Sequence, residues 1–154
     1  MRRAQKPKAA AARDAAPPTP RTPTPFETRV YSLCSAIPRG RVATYGSMSA
    51  ALGCGSARAV GQALRRNPFA PRVPCHRVIA ASRGIGGFSG ESSPSGAGGH
   101  LRRKRRMLVD EGCVFESEDE AGGGAAYWRV RAACVLSARE TAALLLLPPN
   151  GGGK

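Results

Sequence analysis

The run Val73-Pro74-Cys75-His76-Arg77-Val78-Ile79 places a thiol beside an imidazole between two apolar flanks. A thiol reacts as its thiolate, and a free cysteine near neutrality is mostly protonated. A neighbouring base can remove that proton, and Arg77 adds positive potential beside it. The flanking Val73, Val78 and Ile79 predict a half-buried strand or turn that fixes the sulfur in a pocket. Taken alone, the pair fits a buried core cysteine beside a satisfied histidine equally well. The stretches around it decide between the two.

The net charge is +14, of which residues 1–25 carry +5 and residues 26–90 carry +8. An excess of that size, placed in the middle of the chain and the N-terminal tail, points to a polyanion. Nucleic acid is favoured over membrane because no lipid-binding apolar face accompanies the charge. No apolar run approaches the ~20 residues of a membrane-spanning helix. The five cysteines, Cys34, Cys54, Cys75, Cys113 and Cys134, form no C-x-x-C, and there are only two histidines. No tetrahedral metal set is expected, and free thiols in a reducing compartment are the simpler reading.

Residues 1–25 are rich in Ala, Pro, Thr and basic side chains and read as a disordered tail. Their acid-poor composition leaves an organellar address open. Helix signals begin immediately after. Thr24 can cap, Pro25 suits a first turn, and Glu27 stands three residues after Thr24. Phe26, Val30, Leu33 and Ile37 then share one face, and Pro38-Arg39-Gly40 ends the helix. Thr44 starts a short helix over 45–52 that stops at Gly53. Ser56 starts a third, with Ala59, Val60, Ala63 and Leu64 in an apolar stripe and Asn67-Pro68 as its stop. Two short helices around a glycine turn, the second bearing Arg58, Arg65 and Arg66, read as a helix-turn-helix.

Three separated signals then fall in order. Gly40-Arg41-Val42-Ala43-Thr44-Tyr45-Gly46 leads into the helical pair. Ala57-Arg58-Ala59-Val60-Gly61 follows with Asn67-Pro68, and Pro74-Cys75-His76-Arg77-Val78-Ile79 precedes Gly87-Phe88-Ser89-Gly90. Over roughly residues 26–115 the chain closely resembles the DNA-binding, active-site domain of the methylated-DNA–protein-cysteine methyltransferases, or alkylguanine-DNA alkyltransferases. The resemblance implies a mainly α, winged-helix-like domain with a helix-turn-helix and short strands, flanked by disordered tails. It implies Cys75 as the acceptor thiol, His76 as its base acting through water, and Glu111 as the carboxylate that orients the histidine.

The target base must leave the duplex. By resemblance Arg58 is the finger that enters through the minor groove and fills the vacated space. Tyr45 crowds the target's backbone phosphate, and Asn67 holds the turn between recognition helix and active-site loop. Arg65 and Arg66 are expected on DNA. Val78 offers its backbone carbonyl to the guanine amino group, and Ser89 offers its N–H to the guanine oxygen. Lys104 matches a family lysine near the active site. The expected partner is double-stranded DNA containing alkylated guanine, bound by a monomer without cofactor, metal or membrane. The expected compartment is the nucleus in a eukaryote and the cytoplasm otherwise.

Two features depart from the family pattern. Phe88 stands where better-known members carry Tyr, so the hydroxyl that can assist the leaving oxygen is gone and slower transfer is expected. Residues 91–99 look like a flexible insertion into the substrate loop. His100 to Glu111 then reads as a helix with Leu101, Leu108 and Met107 inward. Its Arg102-Arg103-Lys104-Arg105-Arg106 run reads by default as a solvated face, with a nuclear address as the rival. Residues 116–154 read as a low-complexity extension, with enough alternation over 127–135 for a strand that pairs back onto the domain. Only the tail precedes Phe26, which suggests a minimal family form without a preceding domain.

The leading reading is stoichiometric, irreversible alkyl transfer from guanine to Cys75. The alternative is a lesion sensor of the alkyltransferase-like group, which binds without chemistry and typically has Trp or Ala at the acceptor position. A transcription regulator using the same helical pair leaves Cys75-His76 without a role.

Overall fold

The computed structural model describes residues 21–85, 99–116 and 128–148. Helix α1 spans Pro25–Ala36, and its start is the capping box foreseen in the sequence: Thr24 accepts from the Glu27 amide while Glu27 reaches back to the Thr24 amide. Strand β1 (Ala43–Thr44) runs straight into α2 (Tyr45–Leu52), which Thr44 and Ser47 cap in the same reciprocal way. Gly53, at φ +64°, ends α2 in the left-handed conformation that costs glycine least. Helix α3 (Ala57–Arg65) starts at Ser56, whose hydroxyl accepts from the Ala59 amide. Cys75–Arg77 forms one 3₁₀ turn and leads into β2 (Val78–Ile79).

The two strands pair in parallel, Ala43 opposite Val78 and Thr44 opposite Ile79. A parallel pair needs a crossover, and here the helix-turn-helix supplies it. The pleat sends neighbouring side chains to opposite sides, which divides the core in two. Ala43 and Val78 join Val30, Leu33, Ile37, Met48, Val60 and Leu64 on the side of α1, α2 and α3. Val42 and Ile79 join Ile85, Leu108, Cys113 and Val130 on the other.

Helix α4 covers Gly99–Asp110, one residue ahead of the expected 100–111 span at each end. Leu101 and Leu108 are buried as expected and Met107 half-buried. The solvated-face reading of the basic run fails at Lys104, which is completely buried. Its place in the helix, between Leu101 and Leu108, puts it on the inward face.

Residues of 127–135 pair back onto the domain as expected, and the segment beyond them, read as low-complexity, is also built into the fold. Val130, Cys134, Leu136 and Thr141 are buried. No continuous strand forms over the described part of 127–135. Instead Arg129 bridges Gly84, Val130 bridges Phe115, and Val135 bridges Val42. The 3₁₀ turn Ala132–Cys134 interrupts the alternation between them. Helix α5 (Ala138–Ala143) then lies against α2, where the Thr141 hydroxyl meets that of Ser47 at 3.2 Å in a buried contact. The boundary at 115/116 thus separates no packing unit, because two cores share residues from both sides of it. The tail reading for 1–20 and the loop reading for 91–98 lie outside the described residues. Among the described residues no helix is long and apolar enough to cross a membrane.

Candidate active site and DNA-facing helix

Cys75 opens the 3₁₀ turn. Its amide donates to the Val73 carbonyl at 2.9 Å, and the Arg77 amide donates to the Pro74 carbonyl at 2.9 Å. The turn leaves the thiol half-exposed and buries His76. Ahead of it, Asn67 staples the return from α3. Its side-chain amide donates to the Val73 carbonyl at 3.2 Å, and its Oδ1 accepts from the Phe69 amide at 2.9 Å. The same residue therefore stops the helix and holds the loop.

Behind the turn sits Glu111, just past the end of α4. His76 Nε2 lies 2.9 Å from Glu111 Oε1. Arg77 adds a two-point grip, Nε to Oε2 and Nη2 to Oε1, both at 2.8 Å. The remaining Arg77 arm, Nη1, donates to the Ile37 carbonyl at the end of α1 at 2.6 Å. The sequence shows Arg77 only as nearby positive charge. Its adjacency to His76 was the available signal, but the partner lies 34 residues away. Gly40 fits against the same carboxylate-bearing residue. At φ +79° a Cβ on it would stand 3.0 Å from the Glu111 carbonyl oxygen.

The electrostatics follow from these contacts. Burial would raise the Glu111 carboxyl, but hydrogen bonds from Arg77 and His76 outweigh it and hold the group below its ordinary range. Burial lowers His76, helped by the charges of Arg77 and Lys104 and opposed by Glu111. A neutral imidazole that donates Nε2–H to Glu111 keeps a lone pair on Nδ1, which is what a base for a thiol requires.

Lys104 donates to the Val78 carbonyl at 2.8 Å. Burial draws its ammonium down to about 8, while the Cys75 and Cys34 thiols oppose that fall. Tyr45 is half-buried over the same centre. Burial pushes its phenol up to about 12, and the two thiols add to the effect. Cys34 is fully buried, and burial pushes its thiol far above the usual range. The five cysteines are all free.

The structure thus brings Cys75, His76, Glu111, Val78, Lys104 and Tyr45 together. Arg58 and Arg65 are exposed on α3, whose Gly61 lies against the Tyr45 ring, and Arg66 caps the end of the helix with its guanidinium 3.9 Å from the buried Glu27. Phe88 and Ser89 lie outside the described residues. Among the described residues no group of three His, Cys, Asp or Glu side chains could hold a metal ion.

Fold and site together define a helix-turn-helix domain with a cysteine displayed just beyond the second helix and backed by a histidine–glutamate pair. Residues 25–113 match the family described as 6-O-methylguanine DNA methyltransferase, DNA binding domain, and the chain belongs to that family.

The chain is 38% identical over 95 residues to a methylated-DNA–protein-cysteine methyltransferase of Methanothermobacter thermautotrophicus, covering 62% of this chain and 48% of the relative. It is 47% identical over 90 residues to that of Salmonella typhimurium, covering 58% and 47%. The chain therefore spans about half the length of the curated relatives it matches. Among solved structures it resembles S. pombe Atl1 in complex with damaged DNA containing O6-carboxymethylguanine. The TM-score is 0.57 at 26% identity, over 73% of this chain and 94% of that one.

Proposed function

We propose that this protein repairs DNA by moving an alkyl group from the sixth-position oxygen of guanine onto its own Cys75, once per molecule and without a cofactor. The Sγ–carbon bond forms as the carbon–oxygen bond breaks, and the guanine anion takes a proton from water, which the imidazolium later replaces with the proton it took from the thiol. His76 takes the thiol proton, through a water, and Glu111 stabilises the imidazolium that results. Lys104 holds the Val78 carbonyl in the orientation that meets the guanine amino group. Tyr45 and Arg58 serve base extrusion through the minor groove, and Arg65 and Arg66 meet phosphates. Double-stranded DNA with an alkylated guanine is the substrate, and a monomer suffices.

The observation that carries this reading is the 2.9 Å contact between His76 Nε2 and Glu111 Oε1 in a chain that has a cysteine next to that histidine. A protein that only recognises lesions has no use for a nucleophile with its base oriented. The lesion-sensor reading draws on the likeness to Atl1, which covers more of the partner chain than the likeness to the methyltransferases does. Both readings share the binding step and part at chemistry.

A duplex whose recognition site for a restriction endonuclease is blocked by one O6-methylguanine separates them. Transferase activity restores cleavage in proportion to the protein added and then stops. A sensor binds the duplex and leaves it blocked.

A further inference from the structure

The arginines of α4 have a feature that helix stability does not explain. A helix favours acids in its first turn and bases in its last. Helix α4 has neither, and its charge is reversed: four arginines and Lys104 fill positions 102–106, and Asp110 closes the helix. At ~100° per residue, Arg102, Arg103 and Arg106 fall within one sector opposite Lys104 and Leu108. All three are exposed, and none takes part in an ion pair among the described residues. Arg105 is set apart, since its guanidinium stacks over Phe115 and Trp128 at 5.4 and 5.2 Å from their ring centres. One arginine of the run is thus bound to the domain and three are left facing solvent.

The position of this stripe matters as much as its charge. Val60, Ala63 and Leu64 of α3 face the first core, and Leu108 of α4 faces the second, with the β1–β2 ribbon between. The solvent faces of α3 and α4 therefore look away from each other. A duplex seated on Arg58 and Arg65 is therefore expected to leave Arg102, Arg103 and Arg106 unoccupied.

We infer that the α4 stripe is a second DNA surface, which holds the phosphates of another duplex segment while α3 holds the first. Guanidinium groups suit phosphate through paired N–H donors. Once one segment is bound, a neighbouring segment arrives at high effective concentration, so three contacts suffice where they would fail alone. The inference rests on the reading that α3 is the first DNA surface.

The test is a two-duplex capture. A short unmodified duplex is fixed to beads, a second labelled duplex is added, and capture is measured with the full chain and with the Arg102→Glu, Arg103→Glu, Arg106→Glu triple variant. The wild-type protein is expected to bring labelled duplex to the beads in a salt-sensitive way. The variant should lose capture by about ten-fold or more while its affinity for a single duplex stays within about two-fold. The milder triple Arg→Gln variant gives the same reading if the charge-reversed one fails to fold.

Unchanged capture by the folded variant, or no capture by the wild type, overturns the inference. So does an equal loss of single-duplex binding, which would place the stripe in the first footprint. Restored endonuclease cleavage of the blocked duplex reports the alkyl transfer separately. A chain that bridges duplexes and never restores cleavage sinks the transferase reading alone.

Discussion

Arg77 holds both oxygens of Glu111, at 2.8 Å each, so the carboxylate that orients His76 is itself oriented from the residue next to that histidine. The sequence neighbours His76 and Arg77 converge on one acid from the end of α4. Through Nη1 the same arginine reaches Ile37, the residue that caps the end of α1. Glu111→Gln should therefore slow transfer by about a hundred-fold, the scale of general-base assistance, while duplex affinity holds. Single-turnover rates with a methylated duplex, set beside binding isotherms, check this.

Arg77→Met predicts a different signature. The Arg77 charge helps keep His76 below its ordinary value and holds Glu111 low. Its removal raises both. A base must be neutral to accept a proton, so the acid limb of the pH–rate profile should move to higher pH. A profile that drops in height without moving would mean that Arg77 acts only by packing.

Acid should weaken the fold in two stages. His76 and Glu111 both have folded values below their ordinary ones of 6.5 and 4.5. In each case the unfolded chain binds the proton more readily, so stability is present above the ordinary value and is lost as pH falls through the folded one. Denaturant midpoints should fall below pH about 6.5 through His76 and again below about 4.5 through Glu111. His76→Gln should abolish the first stage and leave the second.

Gly40→Ala should disturb the site from a distance. The substitution combines left-handed backbone with a Cβ 3.0 Å from the Glu111 carbonyl oxygen. A cost of about 1–2 kcal/mol in stability is expected from the backbone alone. A fall in transfer rate beyond that of a control such as Gly53→Ala, which meets nothing within 4 Å, would show that Glu111 had shifted.

Lys104→Ala tests the buried ammonium. The change opens a cavity and deprives the Val78 carbonyl of its donor, for a combined loss of about 3 kcal/mol. Thermal or denaturant melts give the figure directly. Arg58→Ala provides the contrast, since that side chain is exposed on α3. It should leave the melt unchanged, slow transfer from duplex DNA, and spare reaction with the free alkylguanine base.

Much of this was legible in the chain because the signals are local. Thr24, Thr44 and Ser56 mark the three helix starts by side-chain chemistry within three residues, and the structure forms those caps. Gly53 and Asn67 mark stops for equally local reasons. The pair Cys75-His76 is contiguous, and Glu111 was reached only through the family resemblance. What composition hid depends on long-range packing. Alternation over 127–135 marks a strand but not the single bridges that form instead, and no pattern marks Leu136 and Thr141 as buried, because one hydroxyl pair and a few side chains hold them. Lys104 lay inside a charged run, where only the helix phase separates it from the exposed arginines around it. The fork from Arg77 to Glu111 joins residues that no periodicity connects.

Cys75 keeps the alkyl group in the reaction proposed here. The direct measurement is the intact mass of the protein after incubation with a duplex carrying one methylated guanine, followed by peptide mapping. The expected result is a gain of one methyl group per molecule, located on Cys75 and absent from Cys75→Ala. Tight binding with no gain in mass, or a methyl group mapped to another cysteine, would contradict it.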